Sequence, residues 1–436
     1  MEIASGRDLT QFKNWYDQAG TPKLKVQTEW KDDTYSITLE QSCGPSPGQD
    51  TKKPYHMPIA IGLLGHDGRD LIPTRVLELT EPKQKFEITG IKEKPVLSLL
   101  RGFSAPVRVE FEQSIEELAF LMAHDSDAVA RWEATQTMMI KTLLARIAHS
   151  PSAGKLEESL LSALEPLLKE PFADPAFVSF MLQLPSEAYV AQFLTTVDPE
   201  LVFRSRESLL KAIAKHHRQY FENIYGSLSK QDLSGINQKA MGLRALLNTA
   251  LMYLCLSDDV RDLEKALSQR RTAKDMTTEL GALEALNRSS NPARLTAIDE
   301  FKAKWKHEPL VMNKWLTIRA VAATPNSLSE VKALMDDPVY DRNNPNKIYS
   351  LLLAFAKFNS VGFHDKSGNG YRFIADQVIE IDARNPQVGS RLVSAFNQWK
   401  TFDKERQLLM KSELERIAKT PGLSSNVAEI VGRALA

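Results

Sequence analysis

The stretch Arg384-Asn-Pro-Gln-Val-Gly-Ser-Arg-Leu392 carries an asparagine followed by a proline near its start, and that pair decides how the region folds. The Asn385 side chain can accept from the free N–H groups of a first helical turn. A proline at the next position loses no hydrogen bond there and already has helical φ. Beyond it, Val388, Leu392, Phe396 and Trp399 recur at spacings of 4, 4 and 3, the stripe of a buried helix face. The same start signal stands at Asp174-Pro175, Asp198-Pro199, Asn291-Pro292 and Asn344-Pro345, and Pro185, Pro309 and Pro338 punctuate other segments. Between these marks lie stretches suited to three or four turns. Many helices in succession with short loops predict stacked antiparallel hairpins, an α-superhelix. No strict repeat period is found, so an irregular HEAT-like stack is expected rather than a tetratricopeptide or ankyrin array.

The chain changes character near residue 112. Before it, Tyr35-Ser-Ile-Thr-Leu-Glu40 alternates apolar and polar residues as a half-buried strand does. Lys23-Leu-Lys-Val26, His56-Met-Pro-Ile-Ala-Ile61, Arg75-Val-Leu-Glu-Leu79, Lys85-Phe-Glu-Ile88 and Val107-Arg-Val-Glu-Phe111 read the same way. Asp67-Gly68 is a turn dipeptide between two such runs, and Gly44-Pro-Ser-Pro-Gly48 is a loop. Short strands with turn signals predict a small β-sandwich. A lead-in helix is expected over about Asp8 to Ala19, capped by Asp8, with Leu9, Phe12, Trp15 and Tyr16 on one face. The expected fold is mostly α with a β domain: a linker and lead-in helix over 1–22, a β-sandwich over 23–112 and an irregular α-superhelix over 113–436.

The bulk numbers agree with a folded chain that carries no net charge. The chain has 436 residues, enough for two or three domains, with 43% hydrophobic and 25% charged residues. Lys+Arg and Asp+Glu are both 55, which leaves no net field to draw nucleic acid or an anionic membrane. Two distant cysteines, Cys43 and Cys255, suit a reducing compartment. The first residues carry no apolar signal region, and no apolar run nears the roughly 18 residues of a membrane span. The expectation is an intracellular, cytoplasmic protein, or an organellar one if a transit peptide lies upstream. Asn287-Arg-Ser289 fits a glycosylation sequon, which is read as chance.

The motifs that carry chemistry are missing. No H-E-x-x-H occurs, the pattern that puts two zinc-binding imidazoles one turn apart with a water-activating Glu between them. The nearest match, His307-Glu308, is followed by Pro309 and has Val311 where the second His must stand. None of the eight histidines pairs with another at i, i+4, and His216 and His217 point to different helix faces. There is no C-x-x-C, nucleophile elbow or Walker loop, so neither a catalytic residue nor a metal ligand is assigned. Ser367-Gly-Asn-Gly370 reads as a tight turn before the helix Tyr371 to Ile381. Lys211 to Arg218 reads as a solvated helix face, and Trp132, Met139 and Leu143 as core. Arg391 flanks the stripe of its helix and can face solvent, a cavity or a partner. Tyr349 holds a like place beside the expected core face Ile348, Leu351, Leu352 and Phe355.

Several stretches, in sequence order, resemble the C-terminal half of zinc aminopeptidases of the aminopeptidase N (alanyl) type. They include Arg101-Gly-Phe-Ser-Ala-Pro-Val107, Asp125-Ser-Asp-Ala-Val-Ala-Arg-Trp132, Leu184-Pro-Ser-Glu187, Val311-Met-Asn-Lys-Trp315, Asn344-Pro-Asn346, Gly368-Asn-Gly-Tyr371 and Asn385-Pro-Gln387. The resemblance covers essentially the whole chain. It implies a superhelix that caps a catalytic domain and encloses a peptide channel, with that domain and a peptide as partners. Zinc is implied for the intact enzyme and no cofactor for this chain. Arg391 matches an arginine lining the channel on the primed side of the substrate, Gln387 is carried over with the same segment, and a second channel arginine of bacterial members falls at Tyr349. The zinc ligands and catalytic Glu have no counterpart. The reading from this resemblance is a non-catalytic C-terminal region with an exposed apolar patch for the catalytic domain. The other reading is a free-standing α-solenoid interaction module without enzymatic activity.

Overall fold

The computed structural model describes residues 2–289 and 291–436. The chain divides into two compact units, one running up to Thr142 and including Gly154–Glu170, the other made of Leu143–Ala153 and Pro171–Ala436.

The first unit is built on seven strands: β1 (Lys23–Lys31), β2 (Thr34–Ser42), β3 (Met57–Leu64), β4 (Arg75–Leu79), β5 (Lys83–Thr89), β6 (Val96–Leu99) and β7 (Arg108–Glu110). They form a four-stranded sheet in the order β5-β2-β1-β7 and a three-stranded sheet in the order β4-β3-β6. All neighbours are antiparallel except β1 and β7. The alternation in the sequence sets which face is buried. Leu24, Ile37, Leu39, Met57, Ile59, Ile61, Leu63 and Leu79 are fully buried between the sheets. The β1–β2 hairpin turns on Asp32 and Asp33, both with positive φ, the two-residue turn that matches strand twist. Helix Ile115–His124 follows, with a capping box between Ser114 and Glu117.

The expected lead-in helix is corrected. Only Asn14–Asp17 is helical there, after a turn, and Asp8 accepts from Thr10 N at 2.8 Å as a local turn. The segment's polar side chains bond the sandwich loops instead: Gln11 to Thr80 O at 2.6 Å, Asn14 to Pro54 O at 2.9 Å and Trp15 to His56 O at 3.0 Å. These tertiary bonds set the path, and Tyr16 leaves the buried face, 78% exposed.

The second unit is a succession of helices, and the Asx-Pro signals mark the starts of five of them. Asp174 accepts from Phe177 N, Asp198 from Glu200 and Leu201 N, Asn344 from Asn346 N and Asn385 from Val388 N. Asn291 bonds Ala293 N at 2.9 Å. Val388, Leu392, Phe396 and Trp399 are all buried. Asn287 is buried too, its amide donating to Ile318 O at 2.8 Å, which removes the sequon as an acceptor. The stack returns on itself. Val197 N donates to Thr401 O at 2.8 Å, and Asp403 N donates to Val197 O at 3.1 Å. Buried Arg406 reaches Asp198 Oδ1 at 3.5 Å, Asp403 Oδ2 at 2.6 Å and the carbonyl of His364 at 2.8 Å. Ser360 Oγ donates to Glu187. No helix among the described residues is long and apolar enough to cross a membrane.

Candidate functional site

Arg391 and Tyr349 come from two Asx-capped helices, and the structure brings them together. Tyr349 opens one turn of π-helix, Tyr349–Leu353, directly after the short helix Pro345–Ile348. A π turn takes in an extra residue, and such turns occur often at functional sites. Here Leu351, Leu352 and Leu353 stay buried while Tyr349 remains half-exposed. Arg391 lies in the last turn of helix Pro386–Val393. Its guanidinium carbon stands 4.9 Å from the centre of the Tyr349 ring. An arginine over an aromatic face is held by the ring quadrupole without losing its hydrogen-bond donors. Among the described residues no carboxylate pairs with Arg391, which is exposed. Gln387 lies one turn earlier on the same helix face, also exposed, and makes no bond to Arg391 or Tyr349 among the described residues. An aromatic shelf carrying an unpaired guanidinium is suited to bind a carboxylate through charge-assisted bonds.

The unit also holds a cavity of about 1240 Å³. It is lined by apolar side chains such as Phe203, Met252 and Phe358 and by a group of charges that sequence reasoning did not single out. Glu187, bonded by Ser360, has its carboxyl pushed up by burial, with the Ser360 bond and Arg206 opposing. Burial lowers Arg206, which donates from Nε to Pro185 O at 2.7 Å. Arg288 pairs with Glu207. Glu284 opens onto the cavity, where the surrounding walls desolvate its carboxyl and push it up, with Lys314 opposing. These groups come from three places in the chain, Glu187, the adjacent Arg206 and Glu207, and Glu284 with Arg288, and no single motif joins the three. Tyr349 and Arg391 are not part of this lining.

Neither region offers a metal centre. Among the described residues no group of three or more His, Cys, Asp and Glu is placed to hold a metal ion. The half-buried His364 is taken by the Tyr371 hydroxyl at 2.9 Å, and desolvation of its ring beside Arg406 pushes it down to about 3. Among the described residues, the zinc that the resemblance implies for the intact enzyme has no donor set.

Residues 20–112 match the family described as "Domain of unknown function (DUF3458) Ig-like fold". Residues 115–436 match "Domain of unknown function (DUF3458_C) ARM repeats". Aminopeptidase N of Caulobacter vibrioides is 37% identical over 434 residues, covering 99% of this chain and 50% of the relative. Aminopeptidase N of Haemophilus influenzae is 33% identical over 448 residues, covering 100% of this chain and 51% of the relative. The crystal structure of Legionella pneumophila aminopeptidase A in complex with aspartic acid superposes with a TM-score of 0.87 at 28% identity, over 100% of this chain and 51% of that one. The chain thus spans about half the length of the curated relatives it matches. Through its two matched regions the chain belongs to the DUF3458 family, and over its length it corresponds to a C-terminal part of an aminopeptidase N.

Proposed function

We propose that this chain is the non-catalytic C-terminal region of an alanyl-type zinc aminopeptidase, with a lead-in over 1–22, a sandwich over 23–112 and a superhelix over 113–436. It caps the catalytic domain and lines the peptide channel of an enzyme that removes N-terminal residues from peptides. Arg391, Gln387 and Tyr349 are its channel residues. The observation that carries the reading is the unpaired Arg391 guanidinium resting on Tyr349. It binds the carboxylate of a peptide on the primed side and contributes through orientation, not chemistry. Tyrosine supplies a ring and a hydroxyl where bacterial relatives of the resembled type have a second arginine, so this channel carries one permanent charge fewer there. Two free thiols, Cys43 and Cys255, support a cytoplasmic setting.

The test mixes this chain with the half of the Caulobacter relative that it does not span and follows alanyl-amide hydrolysis. Activity is expected only in the mixture. In that mixture Arg391→Gln should raise KM for peptides ending in a free carboxylate by about tenfold, roughly the worth of one charge-assisted bond, and leave KM for an alanyl amide unchanged. Two folded halves that neither bind nor hydrolyse would point instead to a free-standing interaction module. Equal KM changes for both substrates would remove Arg391 from the carboxylate site.

A further inference from the structure

The loop between β6 and β7 is held in an unfavourable shape. Leu100, Gly102 and Phe103 have φ of 55°, 63° and 55°. Glycine adopts this region freely, whereas leucine and phenylalanine do so only when their surroundings force it. The force comes from Arg101, whose side chain is 3% exposed. It lies on the outer face of the three-stranded sheet, bonded to Ser98 Oγ at 2.8 Å, Asp70 Oδ1 at 2.6 Å and Asp125 Oδ1 at 3.0 Å. Any side chain at Gly62 would overlap its guanidinium. Gly102 N donates to Asp127 Oδ2 at 3.0 Å, and Ser104 Oγ accepts from Ala60 N at 2.9 Å. This anchoring holds Phe103 out, 65% exposed.

Phe103 is not isolated. Ala60, to which its loop is bonded, stands directly opposite Val76, which is 53% exposed. Pro58, two residues along β3 on the same outer face, is exposed as well. A rigid loop that keeps a large apolar ring in water, bonded to a strand whose outer face carries further apolar side chains, has the make-up of an interface centre. The chain spans 50% of its Caulobacter relative, and it matches that protein's C-terminal portion, so the unspanned half adjoins the sandwich in sequence.

We propose that Phe103, Val76 and Pro58 form the surface on which the catalytic half of the enzyme docks. This rests on the function proposed above and adds the site of attachment. Phe103 is the anchor, and its strained backbone pre-pays the ordering of the loop.

Binding of the full chain to the isolated catalytic half of the Caulobacter relative, measured by calorimetry, tests it. Phe103→Gly relaxes the backbone while removing the ring, so its Tm should stay level or rise. Its affinity should nevertheless fall by about tenfold or more, as for loss of a central aromatic anchor. Val76→Thr should weaken binding less, and Leu408→Ser, at an exposed site on helix Lys404–Ala418, should leave it unchanged. If wild type binds and Phe103→Gly binds equally, the surface is wrong while the function stands. A fall in Tm for Phe103→Gly would make the ring a support of the fold and count against docking. If wild type fails to bind, the proposed function falls, and the surface with it.

Discussion

His364 illustrates how burial makes a side chain pH-sensitive. Its imidazole, desolvated and next to Arg406, titrates at about 3 against an ordinary 6.5. Between these values the unfolded chain takes up a proton that the folded chain refuses. Stability therefore falls as pH drops through that window, by up to about 1.4 kcal/mol per unit. His364→Gln removes the titration. Its urea midpoint should decline less between pH 7 and pH 5 than that of wild type, although it starts lower for want of the contact with Phe402 at 4.6 Å. Parallel declines would refute this. Gly62→Ala should cost roughly 3 kcal/mol in the same assay, because the added methyl displaces a buried, doubly paired Arg101. Neither effect was visible in the sequence. The spacing of its apolar neighbours puts Arg391 on the flank of its helix, where it is exposed. Its stacking on Tyr349 was not legible, because it depends on a π turn and on the approach of two helices that no periodicity encodes.

Elements were legible where a local rule acts alone. Alternation located β2 and β4, and the Asx-Pro signals located helix starts to within a residue or two. Val96-Leu-Ser-Leu99 is not legible as a strand, since four residues with three apolar ones show no alternation. The apolar spacing of the lead-in predicts too long a helix, because its polar side chains have better partners in the sandwich loops. Where a cap also serves a tertiary contact, the two contributions should be separable. Asp198 caps helix Pro199–His216 and faces Arg406. Asp198→Asn keeps a capping oxygen and should lose less than about 1 kcal/mol, while Asp198→Ala should lose about 1–2 kcal/mol. Equal losses in both variants would show that the charge, rather than the cap, matters there.

The irregular helical stack that the sequence predicts is present, but its closure has no sequence signal. The closing contacts join residues up to 208 positions apart, and each is a single bond or pair without a sequence signature. Arg406→Ala should leave the individual helices intact in circular dichroism and raise hydrogen exchange at Val197 and Asp403. Protection unchanged at those amides would mean the closure does not depend on this arginine. Closure also changes what one cut in the backbone does. In an open stack, a cleaved loop leaves two pieces joined across one repeat interface only. Here the pieces meet at two places, at the cut and where Val197 and Asp198 join Thr401, Asp403 and Arg406. The exposed stretch around Ile236, between helices Arg218–Leu228 and Gln238–Cys255, is open to a protease. A chain nicked there should still migrate as one particle on a native gel and come apart only in denaturant, as a hoop severed once stays a single strip.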